Sequence, residues 1–209
     1  MRLDRSGAPF IFGALAPAVA FAMARRPTAA VPLAVLAAFF AYFFRDPERS
    51  VPADPRLVLA PADGRVLVAG LAAQAEAPAG EWRQVSIFLS PLDVHVNRTP
   101  VAGEVTRVDY RPGRFLPAYD PAAATQNERT EIWLDHDGQT VVCRQLVGVL
   151  ARRIVCRVQP GDRLEAGERI GLMKFGSRMD VFMPRTATLR VAHGDRVRGG
   201  ETPIAELAG

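Results

Sequence analysis

Phe175-Gly176-Ser177-Arg178 places a hydroxyl directly after a glycine carbonyl, which has no Cβ beside it to shield it from attack. That spacing suits chemistry on the chain's own backbone, with Ser177 as nucleophile and the Gly176 carbonyl as electrophile. A serine nucleophile needs a base, and the attacked carbonyl needs donors for the charge that develops on its oxygen. Gly-Ser pairs are also ordinary turn residues, so the reading depends on what the other residues supply. Three histidines are available. His136, in Asp135-His136-Asp137-Gly138, and His193, beside Gly194-Asp195, stand in turn sequences where solvated loop positions are expected. His95 differs. Within Ser90-Pro91-Leu92-Asp93-Val94-His95-Val96-Asn97-Arg98, the period of an extended chain puts Asp93, His95 and Asn97 on one face and Val94 and Val96 on the other. A polar row of this kind is costly to bury without a task, and His95 is the candidate base. Asp63, in Pro61-Ala62-Asp63-Gly64, reads as a turn residue on composition alone. No second histidine stands at the spacing of a zinc hydrolase, so no metal site is expected.

The elements that must hold these groups are short. From Leu57 onward, alternating or apolar runs are separated by Gly, Pro and Asp: 57–60, 65–71, 84–89, 103–110, 130–134, 140–149, 152–158 and 186–191. The pattern predicts a β-dominated sandwich or barrel. Val158-Gln-Pro-Gly161-Asp162-Arg163-Leu164-Glu-Ala-Gly167-Glu168 recurs 33 residues later as Val191-Ala-His-Gly194-Asp195-Arg196-Val197-Arg-Gly-Gly200-Glu201. A weaker element begins at Pro61, Pro100 and Pro184. Repeats of this size predict duplicated β-hairpin units, in which Asp162 and Asp195 shape turns. Residues 111–129 carry no period, and Phe115, Leu116 and Tyr119 with Arg111 and Arg114 suit either a lid facing a membrane or substrate, or a disordered insertion.

Of 209 residues, 49% are hydrophobic and 23% charged, which fits one globular domain plus an appendage. The appendage is residues 1–46 and the domain 47–209. Ser6 to Ala24 and Pro27 to Phe44 carry no charge, with Arg25-Arg26 between them, and each run is close to the shortest helix that crosses a bilayer. A cleaved signal peptide starts the same way, but the second run, ending in aromatics, favours an anchor. Arginines flank both runs on every side, so positive-inside asymmetry selects neither two spans nor a hairpin in one leaflet. The net charge of +4 suits anionic lipid. The arginines are scattered and aromatics are few outside the anchor, which argues against nucleic acid. Cys143 and Cys156 lack metal spacing and are expected as reduced core residues.

Taken in order, Pro61-Ala62-Asp63-Gly64, Ser90-Pro91-Leu92-Asp93-Val94-His95-Val96-Asn97-Arg98, Gln126-Asn127-Glu128-Arg129 and Phe175-Gly176-Ser177-Arg178 resemble the short bacterial and archaeal form of the phosphatidylserine decarboxylase family. The resemblance runs from about Phe44 to the C-terminus, and the hydrophobic hairpin resembles the family's membrane segment. It implies a proenzyme. Ser177 would attack the Gly176 carbonyl, giving a β-chain of residues 1–176 and an α-chain of residues 177–209 that begins with a pyruvoyl group made from Ser177. That group would form a Schiff base with the substrate amine and act as electron sink while CO2 leaves. The implied substrate is phosphatidylserine, the implied location the cytoplasmic face of the cell membrane, and a homodimer stays open. Longer members carry two histidines three residues apart in this segment. Here the first position is His95 and the second is Arg98, while Asp63 matches the relay aspartate. Asp63 is therefore expected to support cleavage, acting through His95, with Asp93, Asn97 and Arg98 supporting.

A different reading is a membrane-anchored carrier barrel. The Gly-Asp repeat followed by Met173-Lys174-Phe175 resembles a biotinyl or lipoyl acceptor hairpin, with Lys174 modified. Lys174 follows Gly167 too closely for the usual acceptor turn, and a carrier has no use for the His95 face.

Overall fold

The computed structural model describes residues 2–120, 122–149, 153–174 and 177–208. The chain divides into two units, Met1–Glu48 and Arg49–Gly209. In the first, the uncharged runs form α1 (Ala8–Met23) and α2 (Pro27–Phe43). A proline in the first turn of each helix costs no hydrogen bond, because those N–H groups have no acceptor within the helix. Buried positions on the two helices are mainly alanines, Ala14 and Ala18 on α1 and Ala30 and Ala37 on α2, small enough for the backbones to approach closely. The open end is clipped by an antiparallel pair, β1 (Arg2–Leu3) with β2 (Arg45–Asp46). Gly7 is required there, since a Cβ would lie 2.5 Å from the Phe44 ring. Arg25 and Arg26 therefore sit at the end of the hairpin away from Arg2 and Arg45. Arg5–Met23 is long and apolar enough to cross a membrane by length and composition, whereas Pro27–Phe43 is shorter.

The second unit is built from β3 (Leu57–Leu59), β4 (Gly64–Leu71), β5 (Trp82–Leu89), β6 (Val96–Arg98), β7 (Gly103–Arg111), α3 (Ala123–Gln126), β8 (Arg129–His136), β9 (Gln139–Val147), β10 (Ile154–Cys156), β11 (Arg163–Leu164), β12 (Arg169–Met173), β13 (Ser177–Pro184), β14 (Thr188–Leu189), β15 (Arg196–Val197) and β16 (Pro203–Glu206). An eight-stranded sheet, ordered β11-β7-β8-β9-β13-β5-β4-β15, curls into a half-barrel. Two three-stranded sheets, β10-β12-β6 and β14-β16-β3, accompany it. The pairings in all of them are antiparallel. Val85, Ile87, Ile132, Val141, Cys143, Met179, Val181 and Met183 point into one core with residues of the smaller sheets. The β-dominated expectation holds.

The two copies of the 33-residue repeat occupy the two edges of the large sheet: β11 pairs with β7 at one end and β15 with β4 at the other. Their turns match in detail. Asp162 accepts from Gln159 N at 2.9 Å and Asp195 from Ala192 N at 2.8 Å, and the glycines at 161 and 194 have φ of 93° and 90°. Two-residue edge strands leave little unpaired backbone to recruit another chain. Residues 111–128 are anchored by Asn127, which is fully buried and bonded to Leu116 N, Leu116 O and Val147 O. Burial pushes the Cys143 thiol up out of its ordinary range and raises Cys156 as well, as inert core cysteines require.

Candidate active site

Ser177 is the first residue of β13, the strand that lies between β5 and β9, and it pairs with Leu89 on one side and Val147 on the other. Alternation along β13 turns Ser177, Met179, Val181 and Met183 to the core and Arg178, Asp180 and Phe182 to the opposite face. Ser177 is fully buried, and its Oγ has no hydrogen-bond partner among the described residues. Gly176, the expected acyl side of the junction, lies outside the described residues.

His95 and Asn97 are both fully buried. β6 runs beside β12, so Asn97 faces Gly171, and the His95 carbonyl oxygen lies 3.4 Å from Met173 N, four residues before Ser177. His95 Nδ1 is 2.9 Å from the Asp93 carbonyl oxygen. A carbonyl oxygen can only accept, so Nδ1 carries a proton; in the neutral ring the lone pair is then at Nε2, which is the form a general base needs. Asp93 does not share the polar face expected of it. It closes a turn instead, its carboxylate accepting from Ser90 N at 2.8 Å, because Ser-Pro-Leu-Asp satisfies its own backbone locally before the strand begins. Val94 and Val96 are buried too, so this segment is enclosed on both faces.

Asp63 and Arg98 lie on neighbouring backbone, joined by the bond from Arg98 N to Pro61 O at 2.8 Å. Both Asp63 oxygens accept from Arg49 Nη2 at 2.8 Å, and Oδ1 also accepts from Gly199 N at 2.8 Å. Asp63 thus makes no direct hydrogen bond to His95. Arg98 is buried and donates to Gly167 O at 2.9 Å. Lys174 lies between β12 and β13, which pair with other strands and not with each other, so it is not at the tip of a carrier hairpin. Among the described residues, no three His, Cys, Asp or Glu side chains converge as a metal site would require.

Two groups near Ser177 escaped the sequence reading. Gln145 on β9 lies opposite Met179, and its Nε2 donates to Asn97 Oδ1 at 2.8 Å. Behind β13, Arg178 Nε donates to Asp180 Oδ1 at 2.6 Å and Nη2 to Ser86 Oγ at 3.1 Å, while Arg144 pairs with Glu131 at 2.9 Å. Burial, and then the charge of Arg144, push the Arg129 guanidinium below its usual range, and Glu131 partly offsets this. The signal was present as Arg178 and Asp180 alternating with Met179 and Val181.

A family model described as phosphatidylserine decarboxylase matches residues 36–205. The chain belongs to that family. This decarboxylase, a carboxy-lyase of phospholipid metabolism by family, has relatives alike over nearly its whole length. It is 44% identical to the phosphatidylserine decarboxylase proenzyme of Nitrosomonas europaea, over 98% of this chain and 95% of the relative. It is 42% identical to the proenzyme of Solibacter usitatus, over 98% and 97%, and 45% identical to that of Symbiobacterium thermophilum, over 98% and 95%.

Proposed function

We propose that the chain is a proenzyme that cuts itself between Gly176 and Ser177 and then converts phosphatidylserine to phosphatidylethanolamine and CO2 at the inner face of the cell membrane. The observation that carries this reading is the buried hydroxyl of Ser177, unpartnered among the described residues, at the head of a central strand. An ordinary buried serine finds a partner; an open hydroxyl is free to attack the neighbouring carbonyl carbon. The residues present fit a pyruvoyl group at this position, because a ketone donates no hydrogen bond and this face continues into Met179 and Val181.

In the cut, Ser177 Oγ bonds to the carbonyl carbon of residue 176 and its proton passes to a base, for which His95 Nε2 is the candidate. The peptide C–N bond breaks and nitrogen takes a proton, leaving an ester. Loss of the Ser177 α-proton then breaks the Cβ–O bond and frees the carboxylate of the β-chain, 1–176. One water replaces the nitrogen as ammonia at the head of the α-chain, 177–209. The pyruvoyl group so formed supplies an electron sink for the pair left when CO2 departs.

His95, enclosed and with Nδ1 engaged by the Asp93 carbonyl, holds or moves a proton through Nε2 in both stages. Asp63 acts at one remove: clamped by Arg49 and Gly199, it fixes the segment to which Arg98 and the end of β6 are tied. Asp93 closes the turn whose carbonyl sets the His95 tautomer, and the apolar hairpin and net positive charge suit an anionic membrane. Mass analysis of the purified protein after phosphatidylserine and cyanoborohydride tests the reading. The expected result is two fragments with the adduct on the one beginning at residue 177. A whole chain without adduct overturns it.

A further inference from the structure

Seven buried side-chain polar atoms lack a hydrogen-bond partner among the described residues, and three of them, Asn97 Nδ2, Gln145 Oε1 and Ser177 Oγ, belong to one wall. The register establishes this. Ser177 is opposite Val147 and Met179 is opposite Gln145, so Ser177 and Gln145 are diagonal neighbours with side chains on the same face. Diagonal neighbours are roughly 7–8 Å apart at the backbone, within reach of a long side chain. Gln145 is held at its outer end by Asn97 and rests over Gly171, where a Cβ would come within 3.0 Å of Nε2. Thr130 lies across from it on β8 and is buried as well.

Whichever way the two amides are turned, a Gln–Asn pair joined by one hydrogen bond leaves one whole NH2 group and one carbonyl oxygen unbonded. A serine hydroxyl both donates and accepts, so it is the chemical complement of what the pair leaves unsatisfied. An open N–H beside Oγ stabilises the negative charge that grows there as the proton leaves.

We propose that Gln145, steadied by Asn97, is a positioning residue for self-processing: the pair turns an open N–H toward Ser177 Oγ as the hydroxyl loses its proton and favours the developing alkoxide. The inference rests on the self-cleavage reading above. Gln145 neither gains nor loses a proton; the hydroxyl proton goes to the base and the new bond runs from Oγ to the carbonyl carbon of residue 176.

The test is a time course of cutting after cell-free synthesis of the full chain. Gln145→Met keeps the volume and removes both polar atoms. It is expected to slow cutting at least tenfold at neutral pH, to recover as pH rises, and to keep its unfolding midpoint within a few degrees of the parent. A purely structural defect would not be relieved by alkali. Should Gln145→Met not fold, Asn97→Leu decides, since it removes the amide that steadies Gln145 at similar side-chain volume; the same slowing and the same alkaline recovery are expected. Cutting at the parent rate in the folded variant overturns the assignment, as does slowing that alkali leaves unchanged. A parent chain that stays whole overturns the self-cleavage reading itself.

Discussion

His95 and Asp63 show how differently two polar residues of one site are built. His95 is enclosed, with its tautomer set by a backbone carbonyl, and removing an enclosed base costs about 10²–10⁴ in rate. His95→Ala is therefore expected to lengthen the self-cutting half-time by about a hundredfold or more, read on gels after cell-free synthesis; an unchanged half-time would confine His95 to the later chemistry. Asp63 is committed to Arg49 and Gly199. Asp63→Asn should destabilise the fold by roughly 1.5–3 kcal/mol, the range for hydrogen bonds to charged groups. Denaturant unfolding of Asp63→Asn, Arg49→Gln and the double variant should show strong non-additivity, and additive losses would contradict the clamp. Period and residue type set His95 and Asn97 on one face, whereas Asp63 reads as a turn residue until the family resemblance singles it out. The Arg49 clamp was not, because it joins residues through a fold that no local pattern specifies.

At the level of the element, the sequence pattern marks β4, β5, β7, β8 and β9 to within a few residues, since each alternates or runs apolar between turn residues. β6 is marked only as part of an extended segment, and β12 and β13 go unmarked. β13 hides because charged residues on its outer face are buried under the 72–81 connection, so Ser-Arg-Met-Asp reads as polar loop until Ser86, Glu131 and Arg144 are seen to satisfy it. Glu131 is the counter-charge on which that outer face depends, its side chain 4% exposed beside an Arg144 that is 3% exposed. Removing one member of a buried pair leaves an uncompensated ion and costs roughly 3–5 kcal/mol. Glu131→Gln should therefore lower the denaturant midpoint by that equivalent, whereas Arg163→Gln, whose pair with Glu104 is exposed, should change it little. A stable Glu131→Gln variant would show that the network is not needed to hold β13.

For the whole molecule, the apolar hairpin and the β unit are two compact units, and the hairpin is the one expected to meet the membrane. Replacing the hairpin residues that carry exposed apolar side chains, such as Phe12, Val19, Val31 and Val35, by serine is expected to reduce binding to anionic vesicles in flotation assays. Retention of full binding would place the membrane contact on the β unit. The position of β13 has one more consequence. A cut before Ser177 would sever the backbone yet leave every ladder of β13 intact, paired on both flanks by strands of the larger fragment, with β15 and β16 adding their own pairings to β4 and β3. The product is then an obligate heterodimer made from one gene product. Its unfolding midpoint should rise with protein concentration, while an uncut Ser177→Ala chain should show none of that dependence. Maturation would turn a molecule that can refold alone into one whose halves, once parted, must find each other by diffusion.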